Sequence, residues 1–192
     1  MRVRASLVLA SASPRRLQLL AQIGVVPDRV VAADIDETPG RDEPPRVYAE
    51  RMAREKALAG VAPGSFVLAA DTVVAVGRRI LPKAETEAQA VSCLALLSGR
   101  RHHVLTAVVL VTPEGARSER VSDSSVIFNR LTEAQVEAYL AGGEWEGKAG
   151  GYAIQGAAAG FVRFLSGSYS GVVGLPLFET AQLLRGRGYL SP

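Results

Sequence analysis

One acidic residue stands inside an apolar segment and is the first candidate for chemistry. Asp71, followed by Thr72, interrupts the nearly continuous apolar run from Phe66 to Val76. Burying a carboxylate is costly unless it is paired, bound to a metal or protonated, so its presence in such a run needs a cause. A structural ion pair at a strand kink is one cause, and a catalytic carboxylate is another. We favour the catalytic interpretation because the sequence shows no structural reason for burying this carboxylate.

A cluster of carboxylates follows the second predicted strand. Asp34, Asp36 and Glu37 occur within four residues, so they repel one another unless water or a cation neutralises them. Oxygen ligands of this kind suit Mg²⁺, which usually shares them with the phosphates of a substrate. Taken alone, the cluster is more typical of an ordinary acidic loop.

A segment rich in serine and arginine follows the first predicted strand. In the sequence Ser-Ala-Ser-Pro-Arg-Arg, Ser13 can serve as the N-cap and Pro14 as the first residue of a helix. The backbone N–H groups of a helix start attract anions, and Arg15 and Arg16 could bind phosphate oxygens beside the serine hydroxyl. The local pattern alone favours the alternative, a capped helix with two solvated arginines.

Lysine is rare in this chain. Lys56, Lys83 and Lys148 are the only lysines among 22 basic residues. A compact ammonium on a flexible stem suits point contacts to phosphate or carboxylate oxygens, although a general bias toward arginine would also leave few lysines. Gln155 follows Lys148 in a glycine-rich segment. Its side-chain amide could bind the edge of an imide-like base, or it could satisfy the backbone of a turn.

Alternating strand and helix patterns must position these residues. They predict an α/β fold in which helices flank a mixed β-sheet. Apolar runs bounded by turn residues predict strands at 3–10, 28–35, 66–76, 79–81, 103–111, 117–128 and 161–165. Helical spacing and caps predict helices that begin at 14 and 131 and others over 47–58, 86–97 and 177–184. Residues 144–160 are expected to form a glycine-rich loop.

Length, charge and composition limit the classes of protein that remain. A chain of 192 residues predicts a single domain over 1–192. A net charge of +3 is too small for a protein that coats a nucleic-acid polymer. No apolar run reaches the roughly 18 residues of a membrane helix, so we expect a cytoplasmic protein without a membrane partner. The single Cys93 excludes a disulfide framework and a cysteine-based zinc site.

The candidate residues belong to a longer series of short motifs, which occur in a fixed order along the chain. The series comprises Leu9-Ala-Ser-Ala-Ser-Pro-Arg-Arg16, Asp36-Glu37, Glu55-Lys56-Ala57, Ala70-Asp71-Thr72-Val73-Val74, Leu97-Ser98-Gly99, Thr106-Ala107-Val108, Lys148-Ala149-Gly150, Ile154-Gln155-Gly156 and Val173-Gly174-Leu175-Pro176-Leu177. Each motif alone is weak, whereas the ordered set is highly specific. Over nearly the whole chain it resembles the Maf family, the Maf-like nucleoside triphosphate pyrophosphatases.

The resemblance implies a fold, a reaction and a catalytic centre. It implies an elongated α/β fold around a mixed sheet with a deep central cleft, similar to inosine triphosphatase, and often a homodimer. The implied reaction is hydrolysis of a nucleoside triphosphate to the monophosphate and pyrophosphate with Mg²⁺ or Mn²⁺. Asp71 would be the catalytic carboxylate that accepts a proton from water and, with Glu37, would bind the metal. Lys56 and Lys83 would be catalytic cations.

The resemblance also implies how the nucleotide is bound. Ser13 and Arg16 match residues that bind phosphate, whereas Arg15, Thr72 and Gln155 match the selectivity positions of the subgroup that prefers dTTP and UTP. Two alternatives remain open at this point: a pyrophosphatase of the 7-methyl-GTP type, and a nucleotide-binding regulator of septum formation without catalysis.

Overall fold

A mixed β-sheet forms the centre of the fold, and helices cover both of its faces. The computed structural model describes residues 5–191. In chain order the strands are β1 (Ser6–Ala10), β2 (Arg29–Val31), β3 (Ser65–Val76), β4 (Arg79–Leu81), β5 (Lys83–Ala84), β6 (Arg101–Val111), β7 (Arg117–Phe128), β8 (Lys148–Ala149) and β9 (Val162–Ser166). The helices are α1 (Pro14–Gln22), α2 (Pro45–Ala59), α3 (Glu87–Leu97), α4 (Glu133–Ala141), α5 (Tyr169–Val173) and α6 (Leu177–Gly186), with a 3₁₀ helix at Ala157–Phe161.

The direction of the strands changes in the middle of the sheet. Its seven strands follow the order β2-β1-β3-β6-β7-β9, and β4 pairs with the end of β3. Strands β2, β1 and β3 are parallel to one another, whereas the pairs β3–β6, β6–β7 and β7–β9 are antiparallel. Strands β5 and β8 form a separate antiparallel pair. The mixed sheet predicted from the sequence is confirmed.

The central strands are apolar on both faces because each face carries its own hydrophobic core. Leu9 and Leu68 pack on one face with side chains from α1, α3, α4 and α6. Val8 and Val67 pack on the other face, where α2 contributes Met52 and its neighbours. Successive strand residues point to opposite faces, so a strand with a core on each side must be apolar at nearly every position.

Most predicted elements are confirmed, and the exceptions have local causes. The predicted strand at 28–35 is shorter because only Arg29–Val31 pairs with β1, after which the acidic segment leaves the sheet. Residues 3 and 4 of the first predicted strand lie outside the described part of the chain. The glycine-rich loop contains β8 and the 3₁₀ helix, and α5 was not predicted. Within 5–191, every helix is too short or too polar to cross a bilayer.

Candidate active site

A gap along one edge of β3 exposes two of the candidate residues to a shared space. Pairing of β3 with β1 ends at Ala69, and pairing with β4 begins at Val74. Asp71 and Thr72 lie between these two partners, and their other edge is paired with β6. The gap lies beside Ala10, the last residue of β1, where parallel strands of an α/β sheet commonly place a ligand crevice.

A cavity of about 580 Å³ occupies this gap. Nine of the residues that the sequence singled out line it: Ser13, Arg15, Arg16, Glu37, Lys56, Asp71, Thr72, Lys83 and Gln155. Asp34 and Asp36 of the acidic cluster are not part of this lining. They arrive from the β1–α1 junction, the loop before α2, α2 itself, β3, β5 and the glycine-rich segment. The fold therefore gathers residues that are distant in sequence around one space large enough for a nucleotide.

A buried lysine joins the two carboxylates of the cavity. Lys56 Nζ lies 2.5 Å from Asp71 Oδ1 and 2.8 Å from Glu37 Oε1. Lys56 reaches them because α2 packs across β3 on the face to which Asp71 points. Lys83 forms a further ion pair with Glu37 from the exposed end of β5. The two carboxylates are thus held on one side of the cavity by two ammonium groups.

Glu37 is held in its charged form. Burial raises the pKa of its carboxyl, but hydrogen bonds from Lys56 and Lys83 outweigh burial and lower the pKa below its ordinary value. The loop that carries Glu37 is fixed to α2 by two contacts: Tyr48 donates to the Glu37 carbonyl at 2.6 Å, and Arg51 donates to the Thr38 carbonyl at 3.1 Å.

Arg16 lines the cavity from the start of α1, where it is buried. Its Nε donates to the Gly174 carbonyl at 2.8 Å, and its Nη1 donates to Ser11 Oγ at 2.8 Å. Its Nη2 lies 3.4 Å from Thr72 Oγ1. Burial lowers the pKa of the guanidinium, and the nearby charge of Asp71 partly offsets that effect. Arg16 therefore faces the cavity as a fixed cation.

The remaining candidates have fewer contacts and more solvent. Ser13 is the N-cap of α1, but its side chain makes no capping hydrogen bond. Arg15 is half-buried, and burial lowers the pKa of its guanidinium. Gln155 is exposed on the rim of the cavity. These three side chains thus keep their polar groups available to a ligand in the cavity.

The structure adds Ser11, Gly174 and Tyr152 to the site and places there Lys148, the third lysine that the sequence offered for contacts to phosphate or carboxylate oxygens. Ser11 and Gly174 bind Arg16 directly, while Lys148 and Tyr152 line the same cavity. Burial and the nearby charge of Arg15 lower the pKa of Lys148. A signal existed for three of these residues, because Ser11, Lys148 and Gly174 stand within the motifs of the ordered series. Nothing local distinguished Tyr152 from an ordinary core aromatic.

The carboxylates fit a hard divalent cation that is shared with a substrate. Glu37 and Asp71 both lie within 2.8 Å of the same nitrogen, so their oxygens converge on one region of the cavity. Mg²⁺ is typically held by one or two carboxylates together with substrate phosphates. Within residues 5–191 there is no cluster of three or more His, Cys, Asp or Glu side chains arranged to hold a metal. The donor set therefore matches a metal that arrives with phosphate ligands of its own.

Comparison with known proteins identifies relatives along nearly the entire chain. The model of the family described as Maf-like protein matches residues 6–187. The dTTP/UTP pyrophosphatase of Caulobacter vibrioides is 64% identical, and the match covers 96% of each chain. The protein of the same name from Rhodospirillum rubrum is 65% identical over 95% of this chain and 88% of its own. Among solved structures, the Staphylococcus aureus Ham1 protein is 19% identical and covers 64% of this chain and 71% of its own, with a TM-score of 0.47.

Proposed function

This chain belongs to the Maf-like protein family, and on that basis we propose that it hydrolyses dTTP and UTP to the nucleoside monophosphate and pyrophosphate. The main support is the cavity in which Lys56 joins Asp71 and Glu37 while Arg16 faces them from α1. Relatives that are 63–65% identical bear the name dTTP/UTP pyrophosphatase.

The charges of the cavity suit a triphosphate. Its lining contains five basic side chains and only two acidic ones: Arg15, Arg16, Lys56, Lys83 and Lys148 against Glu37 and Asp71. This excess of positive charge in a partly enclosed space attracts a polyanion and stabilises charge on its phosphate oxygens. The arginines can bind phosphate oxygens through two N–H groups, and the lysines act as point charges.

Hydrolysis requires a water molecule to lose a proton as its oxygen attacks the α-phosphorus and the bond from this phosphorus to the bridging oxygen breaks. Asp71 accepts this proton, and the bridging oxygen leaves with pyrophosphate. Lys56 fixes the Asp71 carboxylate at 2.5 Å, so the base keeps one orientation toward the cavity. Arg16 and Lys83 stabilise the negative charge that accumulates on the phosphate oxygens and on the leaving group.

Glu37 and Asp71 would hold a divalent cation, Mg²⁺ or Mn²⁺. Bound there, the cation would neutralise negative charge on the phosphate oxygens of the substrate. Lys56 keeps the two carboxylates close together, and Lys83 holds Glu37 toward the cavity.

The pyrimidine would be bound by Gln155, Thr72 and Arg15. The Gln155 amide offers both a donor and an acceptor, which matches the adjacent carbonyl and N–H groups of a thymine or uracil ring. A cavity lined by these polar side chains and by Ile154 and Val172 can accept a planar base with a polar edge.

The experiment is a panel of nucleotides with one matched variant. The protein is incubated with dTTP, UTP, GTP, ATP or 7-methyl-GTP and either Mg²⁺ or Mn²⁺, and pyrophosphate and monophosphate are measured. We expect both products from dTTP and UTP, none with excess EDTA, and almost none from Asp71→Asn. Fastest release from 7-methyl-GTP would instead indicate that subgroup. Nucleotide binding without any pyrophosphate would indicate a regulator of septum formation.

The same family relationship leads us to propose a cytoplasmic, single-domain protein that forms a homodimer. Size-exclusion chromatography with light scattering should give a mass near twice the 20.3 kDa of the chain. A mass of one chain at micromolar concentration would contradict the dimer but not the activity.

A further inference from the structure

Three hydroxyl side chains stand side by side on adjacent strands, and the first of them, Thr72, lines the cavity. Thr72 on β3 is opposite Thr106 on β6, and Thr106 is opposite Ser122 on β7. Thr106 is completely buried, and Ser122 is nearly so. Buried hydroxyl groups need hydrogen-bond partners, so a row of them within an apolar sheet must serve some contact.

The row supports the backbone of α5. Thr106 Oγ1 donates to the Gly171 carbonyl at 2.7 Å and lies 3.0 Å from Thr72 Oγ1. A Cβ atom at Gly171 would come within 3.1 Å of Ser122 Oγ, so the glycine allows the helix backbone to approach the hydroxyl row closely. The position of α5 on the sheet thus depends on Thr106 and on the absence of a side chain at Gly171.

The chain that leaves α5 binds the buried arginine of the cavity. Gly174 follows α5 with φ of 141°, a conformation that favours glycine, and its carbonyl accepts from Arg16 Nε at 2.8 Å. Thr72 Oγ1 lies 3.4 Å from Arg16 Nη2. Two paths therefore connect Thr106 to Arg16: one through α5 and Gly174, and one through Thr72.

We propose that Thr106 is a positioning residue that holds Arg16 and Thr72 in the orientation that binds the nucleotide. This role rests on the proposed function, because Arg16 and Thr72 face the cavity in which the triphosphate is expected. Thr106 itself is buried behind them and is not among the residues that line the cavity. Small displacements of binding groups reduce affinity strongly even when the fold is intact.

The test compares two threonines that are equally buried. Thr106→Val removes the hydroxyl with little change of shape, and Thr106→Ser restores it. Thr180→Val is the matched control, because Thr180 is also completely buried and its hydroxyl also donates to a carbonyl, that of Pro176, at 2.7 Å. Calorimetry with α,β-imido-dUTP measures affinity, urea unfolding measures stability, and pyrophosphate release from UTP gives kcat and KM.

We expect Thr106→Val to weaken binding of α,β-imido-dUTP and raise KM for UTP by about tenfold, the effect of one lost hydrogen bond at a binding group. Thr106→Ser should return both values to within about threefold of the wild type, and Thr180→Val should change only stability. Equal affinities of Thr106→Val and Thr180→Val would overturn the positioning role. If the wild-type protein releases no pyrophosphate from UTP, the proposed function fails first, and binding of the analogue still tests Thr106.

Discussion

Lys56 Nζ lies 2.5 Å from Asp71 Oδ1, with only 7% and 5% of the two side chains exposed. Lys56 also contacts Glu37, so one ammonium serves two carboxylates of the cavity. Replacing a buried ion pair by apolar residues is often harmless, but removing one partner leaves an uncompensated charge. Removing the Asp71 charge therefore leaves Lys56 paired with Glu37, whereas removing Lys56 leaves the buried Asp71 carboxylate without an ion-pair partner among the described residues.

Asp71→Asn should remove the proton acceptor without removing the fold. Lys56 keeps Glu37 at 2.8 Å, so its charge stays compensated, and asparagine preserves the shape of the side chain. We expect pyrophosphate release from dTTP to fall by at least about 100-fold, the usual contribution of a positioned base. Thermal unfolding should shift by only a few degrees. A rate close to that of the wild type would show that Asp71 is not the base.

Lys56→Met should destabilise the protein in a way that depends on pH. Loss of the ammonium leaves Asp71 buried without its ion-pair partner beside Glu37, which keeps only Lys83, and should reduce the free energy of unfolding by about 3 kcal/mol at pH 7. Lys56 helps to lower the pKa of Glu37, so this pKa rises in the variant and Glu37 becomes protonated at a higher pH than in the wild type. Protonation removes the repulsion between Glu37 and Asp71, so the destabilisation decreases as the pH falls. Urea unfolding should therefore show a larger deficit at pH 8 than at pH 5.

Lys83→Met is the matched control for that measurement. Lys83 also pairs with Glu37, but 46% of its side chain is exposed, so water replaces most of the lost interaction. We expect a loss of no more than about 1 kcal/mol. A loss as large as that of Lys56→Met would contradict the special weight given to the buried pair.

Glu43→Gln should remove a stabilising contribution that disappears in acid. The Arg51 guanidinium, which donates to both carboxylate oxygens at 2.8 Å, lowers the pKa of Glu43 to about 2. Because the pKa of Glu43 is lower in the folded state than its value of 4.5 in the unfolded chain, its charge stabilises the folded protein at pH values above 4.5. This stabilisation is lost as the pH falls toward 2. Because 33% of the Arg51 side chain is exposed, water weakens the pair, and we expect a contribution of about 1 kcal/mol at pH 7. Unfolding curves of the variant and the wild type should converge near pH 2.

Local chemistry was sufficient to predict part of the site. Asp71 was conspicuous because a charged residue is rare within an apolar strand, and two of the predicted helices begin with capping boxes, at Thr86 and Thr132. Lys83 and Glu37 are 46 residues apart in exposed segments, so no local pattern indicates that they form a pair. Only the order of the motifs placed them in one site.

Other features depend on contacts that a sequence pattern does not contain. Thr106 is an ordinary residue for a strand, and its role follows only from its position opposite Thr72 and beneath Gly171. The Ser168 side chain caps α5 by accepting from the Gly171 N–H at 2.9 Å, which is a usable helix signal. Gly171 lies within α5, and glycine has a low helix propensity, so the sequence did not predict a helix at this position.

Gly60→Ala should destabilise the protein by overpacking. An added Cβ would lie 2.5 Å from the Ala10 Cβ, and Ala10 is completely buried at the end of β1. Core overpacking typically costs about 1–3 kcal/mol. Gly186→Ala is the control, because nothing lies within 4 Å of a Cβ there, and it should be neutral or slightly stabilising. Equal unfolding midpoints for the two variants would contradict the close approach of α2 to β1.

Gln155→Ala should alter the choice of base more than the rate of cleavage. Gln155 is exposed on the rim of the cavity, whereas the ion pair of Lys56 with Asp71 is buried within it. Loss of the amide removes a donor and an acceptor to the pyrimidine, so the ratio of kcat/KM for dTTP to that for GTP should fall by about tenfold or more. Stability should be unchanged because an exposed side chain is removed. The measurement is pyrophosphate release from each nucleotide at several concentrations, and an unchanged ratio would assign recognition of the base to other residues.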